Sequence, residues 1–191
     1  MSEGQGSLDL ALVHYPVRNK NGEKIGSAVT NLDVHDIARA CRTFGVDCFY
    51  LVTPYRDQQQ IVGEILEHWR QGYGARYNGK RREALELVEI CNDLAGLYWA
   101  VGEKRRNGFQ VLATGAGQGC GSVSFRSIRQ RLAQGEHFLL LFGTGWGLAD
   151  EVMETVDARL PAIAGWDGYN HLSVRSAASI ILDRLRGGRD E

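Results

Sequence analysis

Three glycine-bearing loops form the pattern in this sequence that is most typical of a binding site. They span residues 115–121, 143–147 and 165–170, and each follows an apolar segment typical of a strand. Glycine lets the backbone approach a flat ligand and present its N–H and C=O groups directly. In an open α/β sheet, ligands bind outside the carboxyl ends of the strands, where such loops converge. The pattern predicts one shared ligand pocket, and the alternative is three unrelated tight turns.

The middle loop reads Gly143-Thr144-Gly145-Trp146-Gly147 and joins a strand to a helix, as nucleotide-binding loops do. The dinucleotide fingerprint, however, requires GxGxxG in the first βαβ unit and an acidic residue about 20 positions later. Here the spacing is GxGxG, and the loop lies toward the C-terminus. The chain also lacks the GxxxxGK[ST] phosphate loop. The pattern therefore favours a nucleoside-sized ligand without phosphates.

Cations alternate with aromatic residues in a second region of the chain, between residues 69 and 82. The cations are Arg70, Arg76, Lys80, Arg81 and Arg82, and the aromatic residues are Trp69, Tyr73 and Tyr77. Bases that stack on aromatic rings beside phosphate-binding cations are a common mode of single-strand recognition. The pattern predicts that Arg70, Arg76, Arg81 and Arg82 bind RNA, with a further basic run at 104–106. The alternative is a solvated helix face.

Composition limits the classes of protein to which this chain can belong. Its 191 residues carry a net charge of −1, which excludes a chain that is basic throughout, although not a local basic face. No secretory signal is visible at the start, and the longest apolar run, 138–142, is too short to span a membrane. The four cysteines show no CxxC spacing, so we expect buried thiols, a reducing cytoplasm and no metal site.

The positions of apolar runs and turn residues predict one α/β domain over residues 1–191, in which 1–7 are a disordered tail. Its mostly parallel sheet is flanked by helices, because strands and helices alternate with short connections. The predicted strands are 9–15, 48–53, 109–114, 137–142 and 160–163. The predicted helices are 33–44, 57–69, 81–88 with an extension toward 97, 125–132, one from Asp150 and one from Ser173.

Three segments of the chain resemble the motifs of the SPOUT RNA methyltransferases. In the first motif an Arg precedes a Phe-Gly pair in a helix between two strands, as Arg39 does in NLDVHDIARACRTFG followed by CFYLVTP. LLLFGTGWGLADEV resembles the second motif, and IAGWDGYNHLSVRSAASIIL resembles the third. The motifs stand in the family's order, and the resemblance covers nearly all of residues 8–186. It is strongest to a branch of predicted RNA methyltransferases that use S-adenosylmethionine (SAM).

That resemblance implies an architecture and a set of partners. It implies a C-terminal trefoil knot, in which the end of the chain threads through a loop, and SAM bound in a bent shape by the knot loops. It also implies an RNA substrate, either tRNA or rRNA, and a homodimer formed through the knot region. The Ala/Ser-rich segment 173–181 is the candidate dimer interface.

The same resemblance assigns the cofactor to residues of the late loops. The implied SAM-binding residues are Leu112, Ala113, Thr114, Phe142, Gly143, Thr144, Gly145, Gly147, Ile163, Gly165, Tyr169, Asn170, His171, Leu172 and Val174. The loop 115–121 is richer in glycine than the branch pattern. Its role in the pocket therefore stays open.

Arg39, His35 and Asp33 are the candidate catalytic residues. Arg39 could orient a ribose or phosphate, or stabilise an oxyanion at a 2′-hydroxyl, and its alternative is a solvated helix charge. His35 has the ordinary pKa for proton transfer but could be structural. Asp33 is either a helix N-cap or a base. His14 ends the first predicted strand at the same sheet edge, and Arg175 lies in a second polar cluster with Asn170 and His171.

These observations favour a SAM-dependent methyltransferase that acts on an RNA base or a ribose 2′-hydroxyl. The first alternative is a knotted protein without catalytic activity that binds RNA or serves in assembly, because no obvious catalytic dyad stands out. A nucleotide-dependent oxidoreductase is the second alternative, and the GxGxG spacing counts against it.

Overall fold

The computed structural model describes residues 6–106, 108–117 and 121–188, and its centre is a six-stranded sheet in which every pair is parallel. The strand order is β5-β4-β1-β7-β6-β8. These strands are β1 (Leu8–Val13), β4 (Cys48–Val52), β5 (Val88–Cys91), β6 (Gln110–Ala113), β7 (Phe138–Gly143) and β8 (Ala158–Arg159). A separate antiparallel hairpin joins β2 (Val17–Arg18) to β3 (Lys24–Ile25).

Helices cover both faces of the sheet and bury two apolar cores. The helices are α1 (Asn31–Thr43), α2 (Arg56–Arg70), α3 (Tyr73–Tyr77), α4 (Gly79–Leu85), α5 (Leu94–Lys104), α6 (Phe125–Ala133), α7 (Asp150–Met153) and α8 (Val174–Arg186). One core lies between the sheet and α1, α2, α4, α6 and α8, and the other lies under α5, α7 and the hairpin. Since both faces are covered, the central strands are continuous apolar runs rather than alternating ones.

The order of the strands determines where a ligand crevice forms. From β1 the chain builds outward through β4 to β5 on one side, and β7, β6 and β8 occupy the other side. The connections after β1 and after β7 therefore lead away from each other at the centre of the sheet. Such a switch point opens a crevice at the carboxyl ends of the two strands.

Two elements between residues 81 and 104 differ from the sequence prediction. The helix predicted from 81 toward 97 ends at Leu85, and the four-residue strand β5 and then α5 follow it. Within β5, Val88 and Cys91 are buried whereas Glu89 is exposed. A run this short has too few apolar positions to distinguish a period of two from a helical period. The last strand also lies two residues earlier than predicted, at 158–159.

The start of α1 corrects the predicted N-cap. Thr30 caps this helix, because its Oγ1 accepts a hydrogen bond from the N–H of Asp33 at 3.2 Å. Asp33 instead lies in the first turn of the helix. Its carboxylate is therefore available for contacts beyond its own helix.

Gly6 and Ser7 belong to the fold, whereas the sequence predicted a disordered tail over residues 1–7. The N–H of Gly6 donates to the carbonyl of Leu132 at 2.7 Å, and Ser7 hydrogen-bonds His137. Residues 1–5 lie outside the described part of the chain, as does Cys120.

The remaining cysteines, Cys41, Cys48 and Cys91, are buried free thiols, as predicted. Across the described ranges, none of the helices has the length and apolar character that a membrane crossing requires.

Candidate functional site

The late loops that the sequence singled out meet at the carboxyl edge of the sheet. The strands β6 and β7 are paired, and the N–H and hydroxyl of Thr114 both donate to the carbonyl of Leu141, at 3.1 and 3.0 Å. The amide of Asn170 donates to the carbonyl of Ala116 at 2.7 Å, which joins the segment 165–170 to the loop after β6. Residues 118–120 of that loop lie outside the described ranges. Two of the three loops are thus joined by a hydrogen bond, and the third follows the strand that pairs with β6.

The shape of the loop after β7 explains part of its glycine content. A Cβ on Gly143 would lie 2.4 Å from the backbone nitrogen of Leu148, and Gly145 and Gly147 have φ of +59° and +101°. The hairpin holds this loop from the side, since Arg18 N–H donates to the Gly147 carbonyl at 2.9 Å. The glycines are therefore required by the close packing of the chain on itself.

A buried hydrogen-bonded chain links β1 to the loop after β7. His14 is fully buried, and its Nδ1 lies 3.0 Å from Ser27 Oγ, which in turn hydrogen-bonds Thr144 Oγ1. The Nε2 of His14 is buried without a hydrogen-bond partner among the described residues. Burial lowers the pKa of His14 to about 4, and the nearby charge of Asp33 opposes that shift. The imidazole is therefore neutral at pH 7 and has one ring nitrogen free.

Ser27 was not predicted as a site residue, because nothing in the sequence around it indicates a function. The sequence indicated His14 only by its position at the end of the first predicted strand. The contact with Thr144 joins residues 117 positions apart and has no local signature.

An ion pair connects α1 to the start of α8. Arg175 Nη1 lies 2.8 Å from Asp33 Oδ1, and Arg175 Nε lies 3.5 Å from Asp36 Oδ2. Asp33 is almost fully buried. The pair fixes the first turn of α8, directly after the third loop, against the first turn of α1. The carboxylate of Asp33 is thus engaged within the chain.

The other two catalytic candidates take no part in that ion pair. His35 contacts the ring of Trp69 edge-on at 5.4 Å, and its pKa is lowered by burial and by the positive charges of Arg81 and Arg39. Arg39 is exposed and makes no ion pair or side-chain hydrogen bond with any residue in the described ranges. Positions 35 and 39 are one turn apart and share a face of α1. Arg39 is thus the candidate whose charged group is free.

The residues that the resemblance assigned to the cofactor fall into three groups by exposure. Four are buried, namely Leu112, Ala113 and Thr114 at the end of β6 and Phe142 in β7. Six are half-buried: Gly143, Thr144, Gly147, Ile163, Asn170 and Val174. Five are exposed: Gly145, Gly165, Tyr169, His171 and Leu172. Leu112 and Ala113 have no exposed surface, and the carbonyl of Ala113 accepts from the N–H of Leu160 at 3.0 Å.

The structure separates the four arginines that were predicted together as RNA-binding residues. Arg70 donates from Nε and Nη2 to the carbonyl of Leu85, at 3.0 and 2.7 Å, and also to that of Val88. Its guanidinium thus binds the chain's own backbone rather than facing a phosphate. Arg82 pairs with Glu86, Arg81 lies over the ring of Trp69, and Arg76 is exposed. The Arg82–Glu86 distance is 3.3 Å, and Arg81 lies 4.6 Å from the ring centroid.

Comparison with known proteins assigns the chain to a family. The sequence model of a family described as SAM-dependent RNA methyltransferase matches residues 7–187. The chain belongs to this family. The chain is 44% identical over 181 residues to a tRNA (guanine-N(1)-)-methyltransferase of Oleidesulfovibrio alaskensis, a match that covers 95% of this chain and 42% of that protein. It is 33% identical to an uncharacterised protein of Aquifex aeolicus, over 92% of this chain and 86% of that protein.

Solved structures share the fold of this chain. A TrmH/SpoU tRNA modifying enzyme of Aquifex aeolicus aligns with a TM-score of 0.58 at 20% identity, over 96% of this chain and 76% of that one. The SpoU methyltransferase AviRb of Streptomyces viridochromogenes, solved with AdoMet, aligns with a TM-score of 0.59 at 14% identity, over 95% and 57% of the two chains. The predicted family, SAM-dependent RNA methyltransferases, is confirmed by the sequence model, and the predicted α/β fold is shared with these SpoU structures.

The groups at the carboxyl edge fit SAM, the cofactor of this family. The loops offer backbone groups and the apolar surfaces of Tyr169 and Leu172, which suit an adenosine moiety. A Cβ on Gly115 or Gly117 would meet nothing within 4 Å, so the backbone there is open to a ligand. In the described part of the chain, no group of three or more His, Cys, Asp or Glu side chains could hold a metal ion.

Proposed function

We propose that this methyltransferase transfers a methyl group from SAM to tRNA. The observation that carries the proposal is the family match over residues 7–187, and the hydrogen bond that joins the segment 165–170 to the loop after β6 supports it. The Oleidesulfovibrio relative is named for tRNA, which supports that class of RNA. This chain spans less than half of that relative's length, so its guanine-N1 specificity is no guide to the atom methylated here.

In this proposal the loops after β6 and β7 and the segment 163–174 hold the cofactor. Backbone groups of Leu112 to Thr114 and of Phe142 to Gly147 contact the adenosine, and the trefoil knot brings the last segment over it. Asn170 supports this arrangement because it already ties that segment to Ala116. When bound, SAM supplies an electrophilic methyl group on a sulfonium. The task left to the protein is to align the nucleophile and to manage its proton.

Arg39 carries the reactive positive charge in this proposal. Its guanidinium is free of partners in the described ranges, so it can contact a ribose or phosphate, or stabilise a developing oxyanion. His35 and Asp33 flank it on α1 with different roles. His35, whose pKa is lowered, is neutral and able to accept a proton. Asp33 acts as a positioning residue, because its carboxylate holds Arg175.

We further propose that the protein is a homodimer that acts in the cytoplasm. The apolar face of α8 packs inside the protomer through Ala178, Ile181 and Leu182. The candidate interface is therefore the outer, serine-bearing face of segment 173–181 with its neighbouring loop. That loop exposes the large side chains of Trp166 and Tyr169. Sedimentation of the purified protein measures the dimer directly, and a monomer at micromolar concentration would contradict it.

Calorimetry with S-adenosylhomocysteine tests the cofactor site. We expect saturable binding with one site per protomer. Absence of binding by a folded sample, verified by circular dichroism, would overturn the proposed function. A ligand such as NAD in place of S-adenosylhomocysteine would instead favour the oxidoreductase alternative.

The second candidate function is RNA binding without turnover. One observation favours it: Asp33 is bound to Arg175, and His35 packs on Trp69, so these two candidates form no hydrogen-bonded dyad with Arg39 in the described ranges. Such a protein would bind RNA and S-adenosylhomocysteine and yet transfer no methyl group. Methyl transfer that depends on Arg39 would exclude it.

A further inference from the structure

Two stacked tyrosines on α3 stand in solvent. The ring centroids of Tyr73 and Tyr77 are 6.1 Å apart with an angle of 19° between the planes. The residues are 74% and 76% exposed, so neither contributes to a core. Large aromatic residues dominate binding interfaces, where they gain the burial that they lack here. The pair is thus a flat aromatic surface that is already formed without a partner.

The segment that carries these rings is held firmly against α2. A Cβ on Gly74 would lie 2.6 Å from the ring of Trp69, so only glycine allows α3 to approach that ring so closely. The ring of Trp69 is itself fixed by the guanidinium of Arg81, 4.6 Å from its centroid, and by the edge of His35. A surface that is fixed in advance loses little conformational entropy when a ligand binds.

A free positive charge accompanies the two rings. Arg76 lies between them in sequence, is exposed, and forms no ion pair or side-chain hydrogen bond within the described ranges. The neighbouring cations of α4 differ in this respect, since Lys80 pairs with Glu83 at 3.3 Å and Arg82 pairs with Glu86. Arg76 is therefore the cation of this region that is available to a phosphate.

The stacked pair is connected to the catalytic candidates through Trp69. His35 of α1 contacts Trp69. The positive charges of Arg81 and Arg39 both lower the pKa of His35. Arg39 lies one helical turn beyond His35 on the same face. Trp69 therefore lies between His35 of α1 and the backbone of α3 at Gly74.

We propose that Tyr73, Arg76 and Tyr77 form a platform that binds an unpaired nucleotide of the RNA substrate at a distance from the reactive nucleotide. The tyrosines stack on the base, and Arg76 contacts its phosphate. Stacking is sequence-tolerant and requires a base that is not paired, so the platform selects a loop or an end of the RNA. The proposal rests on the proposed function, because it places substrate RNA next to α1.

Fluorescence anisotropy with a labelled single-stranded RNA of 12 mixed nucleotides tests the platform. We expect the double variant Tyr73→Ala/Tyr77→Ala to bind that RNA between about 5- and 100-fold more weakly, as loss of stacking on one or two bases implies. Tyr73→Phe/Tyr77→Phe keeps both ring faces and should bind like the wild type. Arg76→Ala should reduce the salt dependence of the affinity by about one phosphate contact.

Trp99 provides the matched control, because it is an aromatic residue of α5 with 70% exposure on another part of the surface. Trp99→Ala should leave RNA affinity unchanged. Equal affinity of the double alanine variant and the wild type would overturn the platform, and so would equal loss in Trp99→Ala. Binding of S-adenosylhomocysteine by the same variants is measured in parallel. If the wild type binds no S-adenosylhomocysteine, the proposed function is contradicted. The platform is not, because RNA binding is measured without cofactor.

Discussion

At the scale of single residues, Arg39 differs from the other charged groups of α1, because its guanidinium makes no ion pair or side-chain hydrogen bond within the described ranges. A guanidinium without an ion pair in the folded chain keeps its charge and its hydrogen-bond donors for a substrate. Asp33 and Asp36, on the same helix, are both used to hold Arg175. The contacts of the side chains, rather than the residue types alone, therefore distinguish the catalytic candidate Arg39 from Asp33 and Asp36.

The first prediction concerns Arg39. Replacement by Ala should lower the rate of methyl transfer by roughly 10²–10³-fold, the loss typical when one charge-stabilising donor is removed. Affinity for S-adenosylhomocysteine should stay at the wild-type value. Arg42→Ala is the matched control, because Arg42 is on the same helix and makes a surface ion pair with Glu83 at 3.4 Å. An equal rate loss in both variants would contradict the assignment.

The second prediction concerns the buried imidazole of His14. Its pKa is about 4 in the folded chain against the ordinary 6.5, so between these pH values only the unfolded chain binds the proton. The free energy of unfolding should therefore fall as pH is lowered through this window, by about 3 kcal/mol from this group. Urea denaturation at pH 7.5 and pH 4.5 measures the difference.

The variant His14→Gln isolates that contribution, because glutamine cannot titrate. Its unfolding free energy should depend less on pH between 4 and 6.5 than that of the wild type. A pH dependence identical in the two proteins would show that His14 does not remain neutral when folded.

At the scale of elements, the loop after β7 is specified by contacts that leave no space for a side chain. The third prediction follows from that geometry. Gly143→Ala should lower the affinity for S-adenosylhomocysteine and destabilise the fold by about 1–3 kcal/mol, because the new Cβ would collide with the backbone at Leu148. Gly115→Ala is the matched control, with nothing within 4 Å of its Cβ. Calorimetry and thermal unfolding measure both variants.

A control variant as damaging to stability as Gly143→Ala would contradict the packing argument. Loss of cofactor affinity in Gly115→Ala with normal stability would have another meaning. It would show that the open backbone after β6 contacts the cofactor directly.

The ion pair between α1 and α8 gives the fourth prediction. Arg175→Leu leaves the buried carboxylate of Asp33 without its charged partner, which should cost about 1–3 kcal/mol of stability. The double variant Asp33→Asn/Arg175→Leu should recover part of that loss, because no buried charge remains. A double-mutant cycle of chemical denaturation measures the coupling, and additive effects of the two changes would contradict a direct interaction.

At the scale of the whole molecule, the sequence predicts what depends on local patterns and fails where distant segments meet. Continuous apolar strands that end in glycine predicted the parallel sheet and the edge where the loops converge. Which arginine near residue 70 is free could not be predicted, because Arg70 is occupied by carbonyls of Leu85 and Val88, which come close only in the fold. The Asp33–Arg175 pair likewise joins residues 142 positions apart.

The near-neutral net charge of the whole protein limits how it can bind RNA. With a charge of −1, the protein has no overall attraction for RNA. Affinity must come from a local surface, and the described residues offer one around Arg39, Arg81 and Arg76. Long-range electrostatic attraction should accordingly contribute little to association, while short-range contacts determine orientation.

Transfer of a labelled methyl group from SAM to RNA tests the central claim most directly. The purified protein is incubated with total tRNA from cells that lack it, and the nucleosides are then resolved by mass spectrometry. We expect one methylated nucleoside that appears with the wild type and falls by roughly 10²-fold or more with Arg39→Ala. Cofactor binding without any methylated nucleoside, on tRNA or on rRNA, would contradict it and would establish the non-catalytic alternative.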